Sequence, residues 1–441
     1  MTTGWHAERA WLGGEAVCRD VLITVRDGRI AAVEEGVPAG DAYRLPGLVV
    51  PGLANAHSHA FHRALRGRAQ DPRDSAGDFW TWRAQMYAVA ERLDPDSYRE
   101  LATAVYAEMA LAGITAVGEF HYLHHPASGG RYGDPNAMGH ALVDAAAVAG
   151  VRLTLLDTCY LTADVDGTPP AGPQLRFSDG DAAAWAQRAS EVDAPVVGAA
   201  IHSVRAVPPD AMREVAEWAA SRRAPLHLHL SEQRRENERC REVHGRTPTE
   251  LCADQGVLGP RTTAVHATHL TPDDVRILGT TGTGACFCPT TERELADGIG
   301  PARALAGYGS PLSLGTDSHA VIDLFEEARA VELNERLATG ARGHHSAAAL
   351  LTAATAHGAA ALGWDTGVLA PGRLADFVAV DTGSVRMAGI DDPVAAVVFA
   401  ATAADVTTVV VGGRLVVEDG VHLAVPETAE MLATTIAALT R

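Results

Sequence analysis

The chain has 441 residues, 47% of them hydrophobic, with a mean hydropathy of +0.01. That length suits a large domain plus an accessory one, and the apolar content can fill a sizeable core. A net charge of −19 repels phosphate backbones and anionic lipid, which argues against nucleic acid and membrane as partners.

The N-terminal stretch MTTGWHAERAWLGGEAV lacks a basic segment followed by an apolar one, so no secretory signal is expected. Val21 to Glu34 reads as a hairpin turning at Asp27-Gly28. From about residue 50 to 365, short β-branched runs alternate with Ala-rich helical stretches such as Asp96 to Ala112 and Pro209 to Ala220. The candidate strands are 47–57, 114–120, 151–159, 196–202, 225–230, 263–268, 282–288 and 311–317. Eight strands alternating with helices predict an α/β fold of the (β/α)₈ barrel type, with a doubly wound sheet as the alternative on pattern alone. Ala375 to Asp381 and Thr407 to Val417, the latter broken at Gly412-Gly413, read as further strands. Both ends of the chain are β-rich. Residues 1–50 with 366–441 are expected to form a small β-sandwich domain, and 51–365 the barrel.

In such barrels the chemistry sits at the C-terminal ends of strands. The polar residues here track those ends: His57-Ser-His59, Glu119-Phe-His121-Tyr122, His202-Ser-Val-Arg205, His227-Leu-His229-Leu-Ser-Glu232, His266-Ala-Thr-His269 and Gly315-Thr-Asp317-Ser-His319. Residues two apart on a strand share a face, so His57 and His59 can reach one ion together. Imidazole plus carboxylate suits Zn²⁺ or a neighbouring divalent ion. His124, His125, His269 and His319 are expected behind the site or in loops, Glu119 as a buried structural carboxylate, and Glu108 and Glu326 on solvated helix faces.

The six cysteines (Cys18, Cys159, Cys240, Cys252, Cys286, Cys288) are scattered, which predicts reduced thiols in the cytoplasm. Cys286-Phe-Cys288 lacks the gap of a zinc knuckle and reads as buried strand. All 36 basic residues are arginine. A lysine Schiff base, a P-loop lysine and a carbamylated lysine bridging two metals are therefore excluded. G-x-S-x-G, H-E-x-x-H and the H-x-E…P-C-x-x-C deaminase pattern are also missing.

Pro51 to His59, the histidines of strands 5 and 6, Gly315-Thr-Asp317, the β-rich termini and the Gly372 to Asp376 turn together resemble the amidohydrolase superfamily over essentially the whole chain. Within it, the chain resembles the formimidoylglutamate deiminase family of histidine degradation. The matching segments are HSHAFHRALRG (57–67), FWTWR (79–83), GEFHYLHH (118–125), HSVRAV (202–207), HLHLSEQ (227–233), VHATH (265–269) and GTDSH (315–319). FWTWR and HSVRAV are not general superfamily motifs, so they carry the narrower resemblance.

The resemblance implies one Zn²⁺ per chain, or another divalent transition metal, held by His57, His59, His229 and Asp317. It implies Glu232 and His266 as acid/base groups, with Asp317 passing a proton while it remains a ligand. Arg83, Tyr122, His202 and Arg205 would contact the substrate. His62 stands where Gln is expected and is assigned to the substrate side. The implied reaction is hydrolysis of N-formimino-L-glutamate to N-formyl-L-glutamate and ammonia. A metal held there would supply hydroxide to attack the formimino carbon, and the arginines would meet the two carboxylates. The rivals are a superfamily deaminase of an aminated purine, pyrimidine or triazine ring, and a non-catalytic scaffold on the same fold. The expected partner is a small molecule, and the expected assembly a homodimer.

Overall fold

The computed structural model describes residues 2–68 and 79–440; the side chains of residues 79–81, in the FWTWR segment, lie outside the description. The chain opens with β1 (Thr2–Trp11), β2 (Val17–Arg26), β3 (Arg29–Glu34) and β4 (Tyr43–Pro51). The predicted hairpin is β2–β3, paired antiparallel from Leu22–Glu34 to Arg26–Arg29. Eight strands follow in the centre: β5 (Leu53–Ser58), β6 (Ile114–His121), β7 (Arg152–Cys159), β8 (Val196–Ile201), β9 (Leu226–Leu230), β10 (Thr262–His266), β11 (Gly284–Phe287) and β12 (Leu312–Leu314). The chain then adds β13 (Phe377–Val380), β14 (Val406–Val411), β15 (Arg414–Glu418) and β16 (Val421–His422).

Strands β5 to β12 pair in parallel, each with the next. A parallel bridge between Ser58 and Asp317 joins the first to the last. The backbone N–H groups of Thr316 and Asp317 both donate to the His57 carbonyl at 3.1 Å. This is the expected (β/α)₈ arrangement. Both faces of the barrel strands are covered, so β6, ITAVGEFH, is buried along its whole length. Helices between strands start on strong caps. Asp94 and Pro95 open the helix Pro95–Leu111 with a capping box, and Asp323 opens Leu324–Thr339.

The terminal strands form one mixed sheet in the order β16-β15-β14-β13-β4-β1-β2-β3. It has its own apolar core, including Trp5, Ile23, Val49, Phe377 and Val410. One sequence boundary is corrected here. The single strand expected over 47–57 is two strands: β4 pairs with β1 and β13 in the terminal sheet, and β5 begins the barrel. The break is Gly52, where a Cβ would lie 2.1 Å from Thr115 Oγ1, so only glycine lets the chain pass between the sheets there. The sheets are also joined by charge. Arg152, at the start of β7, donates to both carboxylate oxygens of the fully buried Asp376 at 2.7 and 2.9 Å.

Candidate active site

The C-terminal ends of the barrel strands converge on one cavity of about 620 Å³, lined among others by His59, His62, Tyr122, His202, His229 and Asp317. The backbone that presents these groups is bent. Ser231, His266, Ala267, Asp317 and His319 all have positive φ, between 37° and 68°. Non-glycine residues in that region cost of order 1–3 kcal/mol each and persist where the surroundings over-determine them.

At the floor of the cavity, His57 Nε2 lies 3.3 Å and His59 Nε2 3.4 Å from Asp317 Oδ1. His229 Nε2 lies 3.1 Å from His57 Nε2. His59 Nδ1 donates to the Phe120 carbonyl at 2.9 Å, and His229 Nδ1 donates to the His202 carbonyl at 2.8 Å. Those bonds set the tautomers, so both Nε2 lone pairs point inward. Burial holds His59 and His229 well below the usual imidazole range, and both are neutral. His59 Nε2 and Asp317 Oδ1 are then two acceptors facing each other, which a cation between them would reconcile. Tetrahedral bonds of about 2.0–2.2 Å place neighbouring ligand atoms about 3.3–3.6 Å apart, close to the spacing seen here. Three neutral imidazoles and a carboxylate thus fit a four-coordinate divalent ion.

Beside this cluster, His266 Nε2 is 3.8 Å from Glu232 Oε1 and 3.8 Å from Asp317 Oδ2. Burial opposes a charge on His266, but Glu232, Glu292 and Asp317 outweigh it and hold the ring well above its usual pKa. Burial raises the Glu232 carboxyl. Both groups line the cavity.

The remaining predicted residues form the wall. Arg83 projects from the helix Phe79–Ala90 and donates to Tyr87 Oη at 2.8 Å. Arg205 lines both the inner cavity and a wider outer space of about 960 Å³, which it shares with Arg83, Glu232 and Glu236. It precedes the helix Pro209–Arg222 and does not cap it. His202 packs edge-on against Tyr160 and Tyr122, with ring centroids at 4.8 and 5.5 Å. His62 Nε2 lies 3.0 Å from Tyr122 Oη.

Behind the site, Glu119 accepts from the Ala60 N–H at 2.7 Å and the Ser58 hydroxyl at 2.9 Å; burial pushes it up to about 7. His319 lies 3.3 Å from Ser58 Oγ and 2.9 Å from Thr316 Oγ1, among the supporting groups as expected. Glu108 departs from its expected solvated face: it is half-buried and binds Arg63 and Arg66 at 2.7 and 2.8 Å.

Sequence reasoning missed four features of the site. Tyr160 directly follows β7, so the strand-end rule would have found it. Glu292, in the first turn after β11, approaches His266 Nδ1 at 3.6 Å. Glu236, four residues beyond Glu232 and inside the helix Arg234–His244, lines the cavity and is pushed up to about 7 by burial. Of the aromatic wall, Tyr87 and Phe177 had no local signal, while Trp82 lies in the FWTWR segment without having been assigned to the site.

The sequence profile described as "Amidohydrolase family" matches residues 48–416. The chain belongs to the amidohydrolase family. Among amidohydrolase relatives, it is 37% identical over 432 residues to formimidoylglutamate deiminase of Pseudomonas aeruginosa, covering 94% of this chain and 95% of that one. It is 32% identical to 5-methylthioadenosine/S-adenosylhomocysteine deaminase of Halobacterium salinarum, covering 91% and 88%. The crystal structure of an amidohydrolase from Brucella melitensis superposes over 100% of both chains with a TM-score of 0.92 at 32% identity. An adenosine deaminase from Xanthomonas campestris with bound zinc shares the fold, with a TM-score of 0.81 at 23% identity and 99% and 98% coverage. Among the described residues, no helix is long and apolar enough to cross a membrane.

Proposed function

We propose that the chain is a metal-dependent deaminase that hydrolyses N-formimino-L-glutamate to N-formyl-L-glutamate and ammonia. The observation that carries this reading is one cavity with a metal-fitting cluster at its floor and two arginines, Arg83 and Arg205, in its wall. A protein of net charge −19 needs such local cations to hold a dianion. The similarity to the Pseudomonas formimidoylglutamate deiminase over nearly the full chain supports the same substrate.

His57, His59, His229 and Asp317 would hold the ion, Zn²⁺ or another divalent transition metal, one per chain. Such an ion, when bound, acidifies water and so supplies a nucleophile near neutral pH. Glu232 delivers a proton to the imine nitrogen, so that the amine leaves as ammonia rather than as an anion. His266 carries a proton at Nε2, between Glu232 and Asp317, and orients the attacking water. Asp317 relays the remaining proton. Arg83 and Arg205 take the carboxylates, and Tyr122, His202 and His62 hold the reacting end. The reading also takes the protein as a cytoplasmic homodimer, which light scattering of the purified protein checks for assembly.

A ring deaminase is the second reading. The aromatic wall of Trp82, Tyr122, Tyr160 and Phe177 favours it, because a heterocycle would stack there. Ammonia release from formiminoglutamate, formiminoaspartate, guanine and cytosine separates the two. Turnover of formiminoglutamate, lost on chelation and restored by Zn²⁺, is expected. Turnover of a ring substrate alone replaces this reading by the second.

A further inference from the structure

Cys286 and Cys288 have no part in the chemistry above, yet they sit directly behind it. With Ala56 and Val265 they form a small buried cluster inside the barrel. A ring nitrogen of His266, the sulfur of Cys288 and a carboxylate oxygen of Asp317 lie within 4.8 Å of one another, and all three residues are buried. Asp317 also has two working faces. Its Oδ1 meets His57 and His59 at 3.3 and 3.4 Å, while its Oδ2 turns to His266 Nε2 at 3.8 Å. One carboxylate can therefore serve two cations. Thiolate with imidazole and carboxylate is a donor set that selects thiophilic ions.

We propose that His266, Cys288 and Asp317 form a second, weaker cation position that takes a thiophilic divalent ion, Zn²⁺ or Cd²⁺, when metal is in excess, and that its occupation stops the enzyme. On binding, the Cys288 S–H bond and the N–H bond of the ligating His266 nitrogen break, sulfur–metal and nitrogen–metal bonds form, and both protons leave to solvent. Expelling the thiol proton inside an apolar cluster makes this position the weaker one. The ion also ties up a ring nitrogen of His266, so the imidazole no longer manages protons for the reaction. The inhibitory consequence rests on the role of His266 proposed above; the binding itself does not.

The test is to titrate the purified, metal-replete enzyme with Cd²⁺, following thiolate-to-cadmium ultraviolet absorption, activity, and the resident metal by elemental analysis after desalting. The absorption should rise as activity falls, with the resident ion retained, and a mild chelator should reverse both. Cys288→Ser should abolish the absorption and raise the Cd²⁺ needed for half-inhibition by about tenfold or more, at least what loss of a group supporting a ligand costs, while activity without Cd²⁺ stays unchanged. Cys288→Ala gives the same reading should the serine variant fail to fold. Full absorption in the Cys288 variants, absorption that appears only as the resident ion departs, or inhibition with no absorption would each overturn the proposal. Absorption at Cys288 in a protein that never deaminates formiminoglutamate would instead count against the proposed function alone.

Discussion

Arg205→Met isolates the charge that we assign to the substrate. Methionine keeps most of the apolar stem and removes only the guanidinium. Arg205 faces the cavity with Glu232 and Glu236 close by, and its pKa is raised although burial opposes the charge, Tyr160 and Glu236 leading the groups that favour it. A hydrogen bond to a charged group is worth about 1.5–3 kcal/mol, and its loss leaves a buried carboxylate without a partner. At about 1.4 kcal/mol per factor of ten, kcat/KM for formiminoglutamate should fall about 10²-fold. The assay is steady-state ammonia release by wild type and variant, on formiminoglutamate and on a neutral formamidine, with metal content measured on the same samples. The dianion should lose the full factor, the neutral substrate little, and the metal nothing. An equal fall on both substrates, or no fall on either, refutes the carboxylate clamp.

Glu232→Gln keeps the shape and removes the titratable group, so the protein should retain its metal while kcat drops about 10²-fold or more; loss of metal on elemental analysis would make Glu232 a ligand instead. Arg152→Met leaves Asp376 buried without its bidentate partner, and chemical denaturation should show a loss of about 3–5 kcal/mol. Gly315→Ala places a methyl 2.7 Å from His57 Cβ and 2.9 Å from Cys288 Sγ, so the seam between β5 and β12 must shift. Overpacking of this kind costs about 1–3 kcal/mol, visible as a lower Tm and as weaker metal retention against a chelator.

Much of the site could be read in the sequence because a parallel barrel turns strand ends into a shared surface. His57-Ser-His59, His229, His266 and Asp317 end different strands and could therefore be grouped without knowing any helix packing. The β4–β5 boundary was hidden for the opposite reason. Residues on either side of Gly52 are buried on both faces, so apolar character continues unbroken from one sheet into the other. Only the glycine marks the crossing. The Arg152–Asp376 pair joins residues 224 positions apart and leaves no local trace. Glu108 looked solvent-facing because a helical period says nothing about what packs over that face. Here Arg63 and Arg66, from the segment after His59, cover it.

The barrel seam bears on how the molecule is made. Asn55 donates to Thr316 Oγ1 at 2.7 Å across 261 residues of chain, and the Ser58–Asp317 bridge closes the same gap. The histidine pair emerges among the earliest barrel residues during synthesis, whereas the carboxylate that completes their cluster emerges almost last. Contacts this distant form slowly because loop closure must be overcome first. A nascent chain therefore carries imidazoles able to catch stray ions long before the acidic partner arrives. Under the proposed metal assignment, metallation would be a late event, coupled to the joining of first strand to last, and an ion between them would fasten the seam that Asn55, His57 and Ser58 make with Thr316 and Asp317.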